Sequence, residues 1–176
     1  LTIRGSHFST SPTVTIDKLV ATVASSNSTH IECVIPELEA SPRYIITVAF
    51  EDLGNAVFES SLDQYFGVGV VVDNVSPLVG SEAGFRVVVH GSGFSRTISS
   101  NSVLVGQRDC VVERSTSNQI VCMVSPRQTG DSNTISPIVV SVNELSDVCT
   151  DCTLGYSSEL TPIVSQWGPT SATSGS

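Results

Sequence analysis

The residues of this chain that could do covalent chemistry are few, and most of them are cysteines, at positions 33, 110, 122, 149 and 152 of 176. Cys149 and Cys152 form a C-x-x-C in "VCTDCT", a spacing that serves zinc sites, redox pairs and small structural loops alike. A zinc site needs about four ligands, and no second C-x-x-C or histidine pair accompanies this one. A redox pair gains from a helix N-terminus that lowers its thiol pKa, and no helical pattern follows Cys152. The spacing predicts a structural disulfide that pinches the last hairpin, and no metal ligand set.

Other groupings point away from catalysis. His7, His30 and His90 are scattered, with no nucleophile and base at a spacing that would pair them. "PELE" (Pro36 to Glu39) and "FED" (Phe50 to Asp52) place carboxylates in loops, where solvated surface is the default and a weak Ca²⁺ contact the alternative. "GSGF" and "GSEAG" lack the lysine and the following helix of a phosphate loop and read as turns. No catalytic residue and no cofactor is expected. Two N-x-[ST] acceptors, Asn27 and Asn74, are candidates for glycosylation; the alternative is a chance match in a Ser/Thr-rich chain, and Pro77 weakens the second.

Composition narrows the setting. Eight Lys and Arg against 17 Asp and Glu give a net charge of -9, so neither nucleic acid nor an anionic membrane would gain counterion-release energy from this surface. The longest apolar run, "FGVGVVV" (Phe66 to Val72), is far shorter than the roughly 20 residues of a membrane-spanning helix, so no membrane insertion is expected in this segment. Cysteines with sequons favour an oxidising, extracellular or cell-surface location.

The elements that must position these residues are strands. "TVTIDKLVATV", "RYIITVAF", "FRVVVHG", "NSVLVG", "NQIVCMV" and "PIVVSVN" are short, β-branched and separated by Gly, Asn, Asp, Ser and Pro, whereas no run of eleven or more residues shows helical periodicity. The pattern also occurs twice. "LTIRGSHFS" matches "VVVHGSGFS", pairing Gly5 with Gly91 and Phe8 with Phe94, and "NSTHIECVIP" matches "TSNQIVCMVSP", pairing Cys33 with Cys122. A third match sets "TPIVSQWGPTSATSGS" (161–176) on "GVVVDNVSPLVGSEAGF" (69–85), the stretch that leads into the second "VVVHGSGF".

These words, in order and twice over, resemble the IPT/TIG family of immunoglobulin-like domains, found in plexins, fibrocystin-like proteins and some transcription factors. The second repeat carries "VSP", "VVVHGSGF", "VLVGQRDCVV", "IVCMVSP" and "PIVVSV". The resemblance implies an all-β fold of two tandem sandwiches with no shared catalytic site. Domain 1 is expected over 1–67 without its opening strand, domain 2 over 68–160, and the opening strand of a following domain over 161–176. It also implies a Cys110–Cys122 disulfide; the alternative is a pair of buried thiols. The first repeat departs from the pattern near Ala21, where a cysteine should recur. Cys33 is thereby left over, either as an inert buried thiol or as a crosslink between chains.

One mechanism follows from the spare strand. If 161–176 completes domain 1 of a second, identical chain, then Pro162, Ile163, Val164, Trp167 and Pro169 are the inter-subunit strand. Leu1, Ile3 and Phe8 are then the acceptor, and the chains build a head-to-tail extracellular filament. Trp167 alternatively packs within a tandem. The competing reading is a window of a longer tandem ectodomain, part of a receptor or adhesin that binds a protein ligand through its loops.

Overall fold

The computed structural model describes residues 1–166, and strands dominate both halves of the chain. The first half contains β1 (Thr2–Arg4), β2 (Thr13–Ile16), β3 (Leu19–Val20), β4 (Thr22–Ser26), β5 (His30–Val34), β6 (Ser41–Phe50), β7 (Gly54–Asn55) and β8 (Tyr65–Val68). One sheet runs β1-β5-β4 and the other β3-β2-β6-β7, with β8 paired to the start of β6. Alternation does the sorting. In β2, Val14 and Ile16 face inward between exposed or half-exposed threonines, and in β5 Ile31 and Cys33 do the same between His30, Glu32 and Val34. Those residues, with Ile46, Val48 and Phe50 of β6, form the first core.

The second half repeats the plan with more strands: β9 (Val71–Ser76), β10 (Val79–Ser81), β11 (Phe85–Ser92), β12 (Asn101–Val105), β13 (Arg108–Asp109), β14 (Val111–Ser115), β15 (Gln119–Val124), β16 (Thr134–Ile135), β17 (Ile138–Val142), β18 (Leu145–Cys149) and β19 (Leu154–Ser157). Its sheets run β14-β15-β11-β9 and β13-β12-β17-β18, and a small third sheet orders β10-β19-β16. Strands β1 to β5 correspond to β11 to β15. Strand β6 does alone what β16 and β17 do together, since Pro137 interrupts the second copy where it has no N–H to give. Only a single 3-10 turn, Ile98–Ser100, departs from extended structure and turns among the described residues.

Two expectations need correction. "TVTIDKLVATV" is not one strand. Asp17, at φ 51°, turns the chain into the β2–β3 hairpin, its backbone N–H and side-chain carboxylate bonding the carbonyl and the N–H of Ile45, and the chain then passes to the other sheet as β4. The Cys149–Cys152 bond does form, but it pinches no hairpin. Cys149 ends β18, which pairs with β17, while Cys152 precedes β19, which pairs with β10 and β16. The short loop is therefore the corner at which the chain changes sheets.

The halves meet directly. Two residues separate β8 from β9, and Ala40, fully buried, belongs to the core of the second half although it lies in the sequence of the first.

Candidate functional site

The two sheets that should be equivalent differ at one edge, and the difference opens a groove. In the second half β11 is bonded on both sides, to β15 and to β9. In the first half β1 is bonded only to β5 among the described residues. Residues equivalent by repeat then differ in burial: Val87 is 1% exposed where Leu1 is 41% exposed. Gly91 shows the same contrast. A Cβ there would strike both the Phe94 ring and the carbonyl of Val71 on β9, whereas the three atoms nearest to one on Gly5 all belong to the ring of Phe8. The close approach of strand to strand that requires glycine is thus made in the second half alone.

Beside β1 lies a groove of about 710 Å³, lined by Leu1, Ile3, Phe8, Ile46, Val48 and Phe50 on its floor and by 53–59 along its wall. Phe8 stacks on Phe50 at 5.7 Å between ring centroids. The wall includes Leu53 at 61% and Val57 at 94% exposure, so apolar surface stands uncovered. All three expected acceptor residues, Leu1, Ile3 and Phe8, lie in this groove.

The second half shows how such a groove is filled. Strand β9 adds antiparallel to β11 and buries Val75, and Asp147 on β18 accepts a 2.7 Å hydrogen bond from the Val72 N–H. Strand β10 adds parallel to β19. There Phe85 packs edge-on to Tyr156 at 5.9 Å, and the Tyr156 hydroxyl donates to the Ser125 carbonyl at 2.6 Å. Burial pushes the Tyr156 phenol up from its ordinary value.

The expected donor segment is less uniform than its sequence suggests. The Thr161 hydroxyl clasps the second half itself, accepting from the Glu82 N–H at 2.8 Å and donating to the Ser157 carbonyl at 2.8 Å. Beyond it Pro162, Ile163 and Val164 form no strand, and Ile163 and Val164 are 84% and 79% exposed. Trp167 and Pro169 lie outside the described residues.

The cysteines divide as the repeat comparison suggests. Cys110 and Cys122 are bonded with Cα atoms 5.4 Å apart. Cys110 sits just before β14, its N–H donating to the Val103 carbonyl, while the next-but-one residue, Val112, is in register with Cys122. Ala21 occupies the same station in the first half: its N–H donates to Val14, and Val23 is in register with Cys33. Cys33 is consequently unpaired and buried, and burial raises its thiol pKa. A thiol in that state is a poor nucleophile.

The carboxylates of "PELE" are not idle surface. The Arg96 guanidinium donates to Glu37 at 3.0 Å and its backbone N–H to Glu39 at 3.0 Å, and Ser117 donates to Glu37 at 2.9 Å. Between them the Ala40 N–H donates to the Gly93 carbonyl at 2.7 Å, and Asn143 donates to the Ala40 carbonyl at 3.0 Å. Gly93 has φ +79°, and a side chain there would collide with the Gly69 carbonyl. This contact between halves was missed in sequence because each partner is ordinary and both Pro36–Glu39 and "GSGF" lie well away from the expected boundary at 67/68. Of the carboxylates in "FED", Asp52 accepts from the Ser9 hydroxyl at 2.6 Å. Asn27 and Asn74 are both exposed, Asn27 in the β4–β5 turn and Asn74 within β9.

Comparisons with known proteins identify the family. The IPT/TIG domain model matches residues 1–62 and 71–154. Fibrocystin of Mus musculus is 31% identical over 154 residues, a stretch covering 86% of this chain and 4% of that protein. Fibrocystin-L of Homo sapiens is 27% identical over 181 residues, covering 97% of this chain and again 4% of that protein. The chain therefore spans a small fraction of the length of these relatives. The full extracellular region of plexin A4 aligns at 16% identity and a TM-score of 0.44, covering 89% of this chain and 16% of that one. The two closed disulfides are those of an extracellular or cell-surface protein. With two all-β units, each matched by the same domain model across most of its length, the chain belongs to the IPT/TIG family.

Proposed function

We propose that these residues are two consecutive modules of a longer extracellular tandem, a non-catalytic ectodomain segment that sets the spacing and angle of neighbouring modules and offers its loops to a protein ligand. The observation that carries this reading is the junction. Strand β8 runs into β9 through two residues, and Ala40 of the first module is built into the core of the second, so the pair moves as one unit. In such a tandem the groove beside β1 takes an extended segment of the β9–β10 kind. The small share of each relative that the chain covers also suits this reading.

A second reading has one observation in its favour. Ile163 and Val164 stand exposed while the groove stands open, a combination that suits donation of 162–176 to an identical chain and hence a filament. Light scattering of the full chain beside a chain ending at Thr161 separates the two. The ectodomain reading expects both to stay monomeric at every concentration; assembly that grows with concentration and vanishes on truncation is the outcome that favours the filament. Interdomain residual dipolar couplings complete the test, because independent tumbling of the halves would overturn the proposed rigid spacing.

A further inference from the structure

The poles of the two domains are built alike but dressed differently. In the first domain the Gly5 and Phe8 N–H groups donate to the carbonyls of Thr29 and Ser28, and the Asn27 N–H donates to His30. In the second, Gly91 and Phe94 donate to Asn118 and Ser117, and Thr116 donates to Gln119. The loop 27–30 is thus the counterpart of 116–119. In the second domain that loop lies at the junction, where Ser117 reaches Glu37 of the first. In the first domain all of 27–30 is exposed. The residue opposite Arg96, whose N–H and guanidinium hold Glu39 and Glu37, is Thr10, which has no cation to offer.

The loop also presents a glycan acceptor in a suitable conformation. Asn27 Oδ1 accepts three hydrogen bonds, from the Thr29 N–H at 2.9 Å, the Thr29 hydroxyl at 3.1 Å and the His30 N–H at 2.9 Å. Thr116 Oγ1 does the same work in the second domain, accepting from the Asn118 and Gln119 N–H groups. Asn27 thus closes the turn through its oxygen, while its Nδ2 has no protein partner among the described residues. Asn74 differs: it lies within β9, in register with His90, two residues before Ser76–Pro77.

We infer that Asn27 carries an N-linked glycan, that Asn74 does not, and that this glycan caps the pole of the first domain whose counterpart in the second is covered by a neighbouring domain. The transfer takes an oligosaccharide activated as its lipid pyrophosphate. The anomeric carbon–oxygen bond to pyrophosphate breaks, a carbon–nitrogen bond to Asn27 Nδ2 forms, the lipid pyrophosphate leaves, and one Nδ2 proton is lost.

The test is expression of the chain through a eukaryotic secretory pathway, followed by intact mass and glycopeptide mapping. The expected result is one N-glycan, removed by a glycan-cleaving amidase that leaves Asp at 27, absent from Asn27→Gln and Thr29→Ala, and retained in Asn74→Gln. Thr29→Ser is a second control that preserves both hydroxyl and glycan. A secreted chain with Asn27 bare, or a glycan at Asn74, overturns the assignment. Hydroxyl-radical footprinting tests the capping. His7 and His30 should be less labelled in the glycosylated chain than after the glycan is removed, and equal labelling overturns it.

Discussion

The two domains share a plan but not a state of completion, and the comparison separates what makes the fold from what makes it stable. Both domains turn a Gly-x-x-Phe loop over the same β-turn, and both send the chain from one sheet to the other at a buried position, Ala21 or Cys110. The second domain adds to this plan an antiparallel β9, a parallel β10 and a disulfide at the crossover. It buries Phe94 completely, whereas Phe8 stays half-buried on the floor of an open groove. Most shared positions are buried alike in the two domains, Ile31 as fully as Ile120, and the difference is confined to positions beside β1 and β11 such as Leu1 against Val87 and Phe8 against Phe94.

The sharpest test sets the two phenylalanines against each other. Phe94→Ala removes a fully buried ring and should cost about 3–5 kcal/mol, while Phe8→Ala, already partly solvated, should cost roughly half as much. Two-transition chemical denaturation reads both, and equal losses would mean that the groove is closed in solution. A comparable loss, about 2–5 kcal/mol, is expected in the second domain alone on replacing Cys110 and Cys122 together by alanine.

The converse experiment makes the domains more alike. Ala21→Cys places a thiol at the station of Cys110, opposite Cys33. The expected result is a new disulfide, loss of the free thiol in a titration of the unfolded chain, and a gain of about 3 kcal/mol in the first domain. Two free thiols after oxidative refolding would show that the crossovers are not equivalent.

Smaller effects bear on electrostatics. Hydrogen bonding to Arg86 lowers the pKa of Glu113, and the Gln128 N–H together with Arg108 lowers that of Asp131; both residues lie in the second domain. A carboxylate with a depressed folded pKa stabilises above its unfolded value and loses that contribution as the pH falls through the folded one. Acid below the ordinary carboxylate range should therefore lower the midpoint of the second domain, and Asp131→Asn should flatten that dependence. The smallest effect is at the junction: Arg96 and Glu37 are more than two-thirds exposed, so Glu37→Gln should cost under about 1 kcal/mol. Its use is to loosen the angle between domains, read by dipolar couplings.

Much of this was legible in the residues. Strand alternation, the doubled "GSHF/GSGF" words and the order of the cysteines carry the all-β fold, the repeat and the odd Cys33, because period-two burial and the glycine beneath a phenylalanine ring leave local marks. The hairpin hidden in "TVTIDKLVATV" was not legible, since Asp17 adopts its turn by bonding to Ile45, far along the chain. The junction escaped for a similar reason: Glu37, Glu39 and Arg96 look like solvated charges until folding brings them together.

The sequence by itself determined which residues can be inside and that the chain repeats one strand plan, since these depend on side-chain type and short-range spacing, while the crossover disulfide was implied by the family resemblance. Only the tertiary structure decided that β1 has one neighbour and β11 two, that Ala40 belongs to the second core, and that Asn27 and Thr116 hold matching turns with different surroundings. Those are contacts between segments far apart in the chain, set by how strands pair and sheets stack.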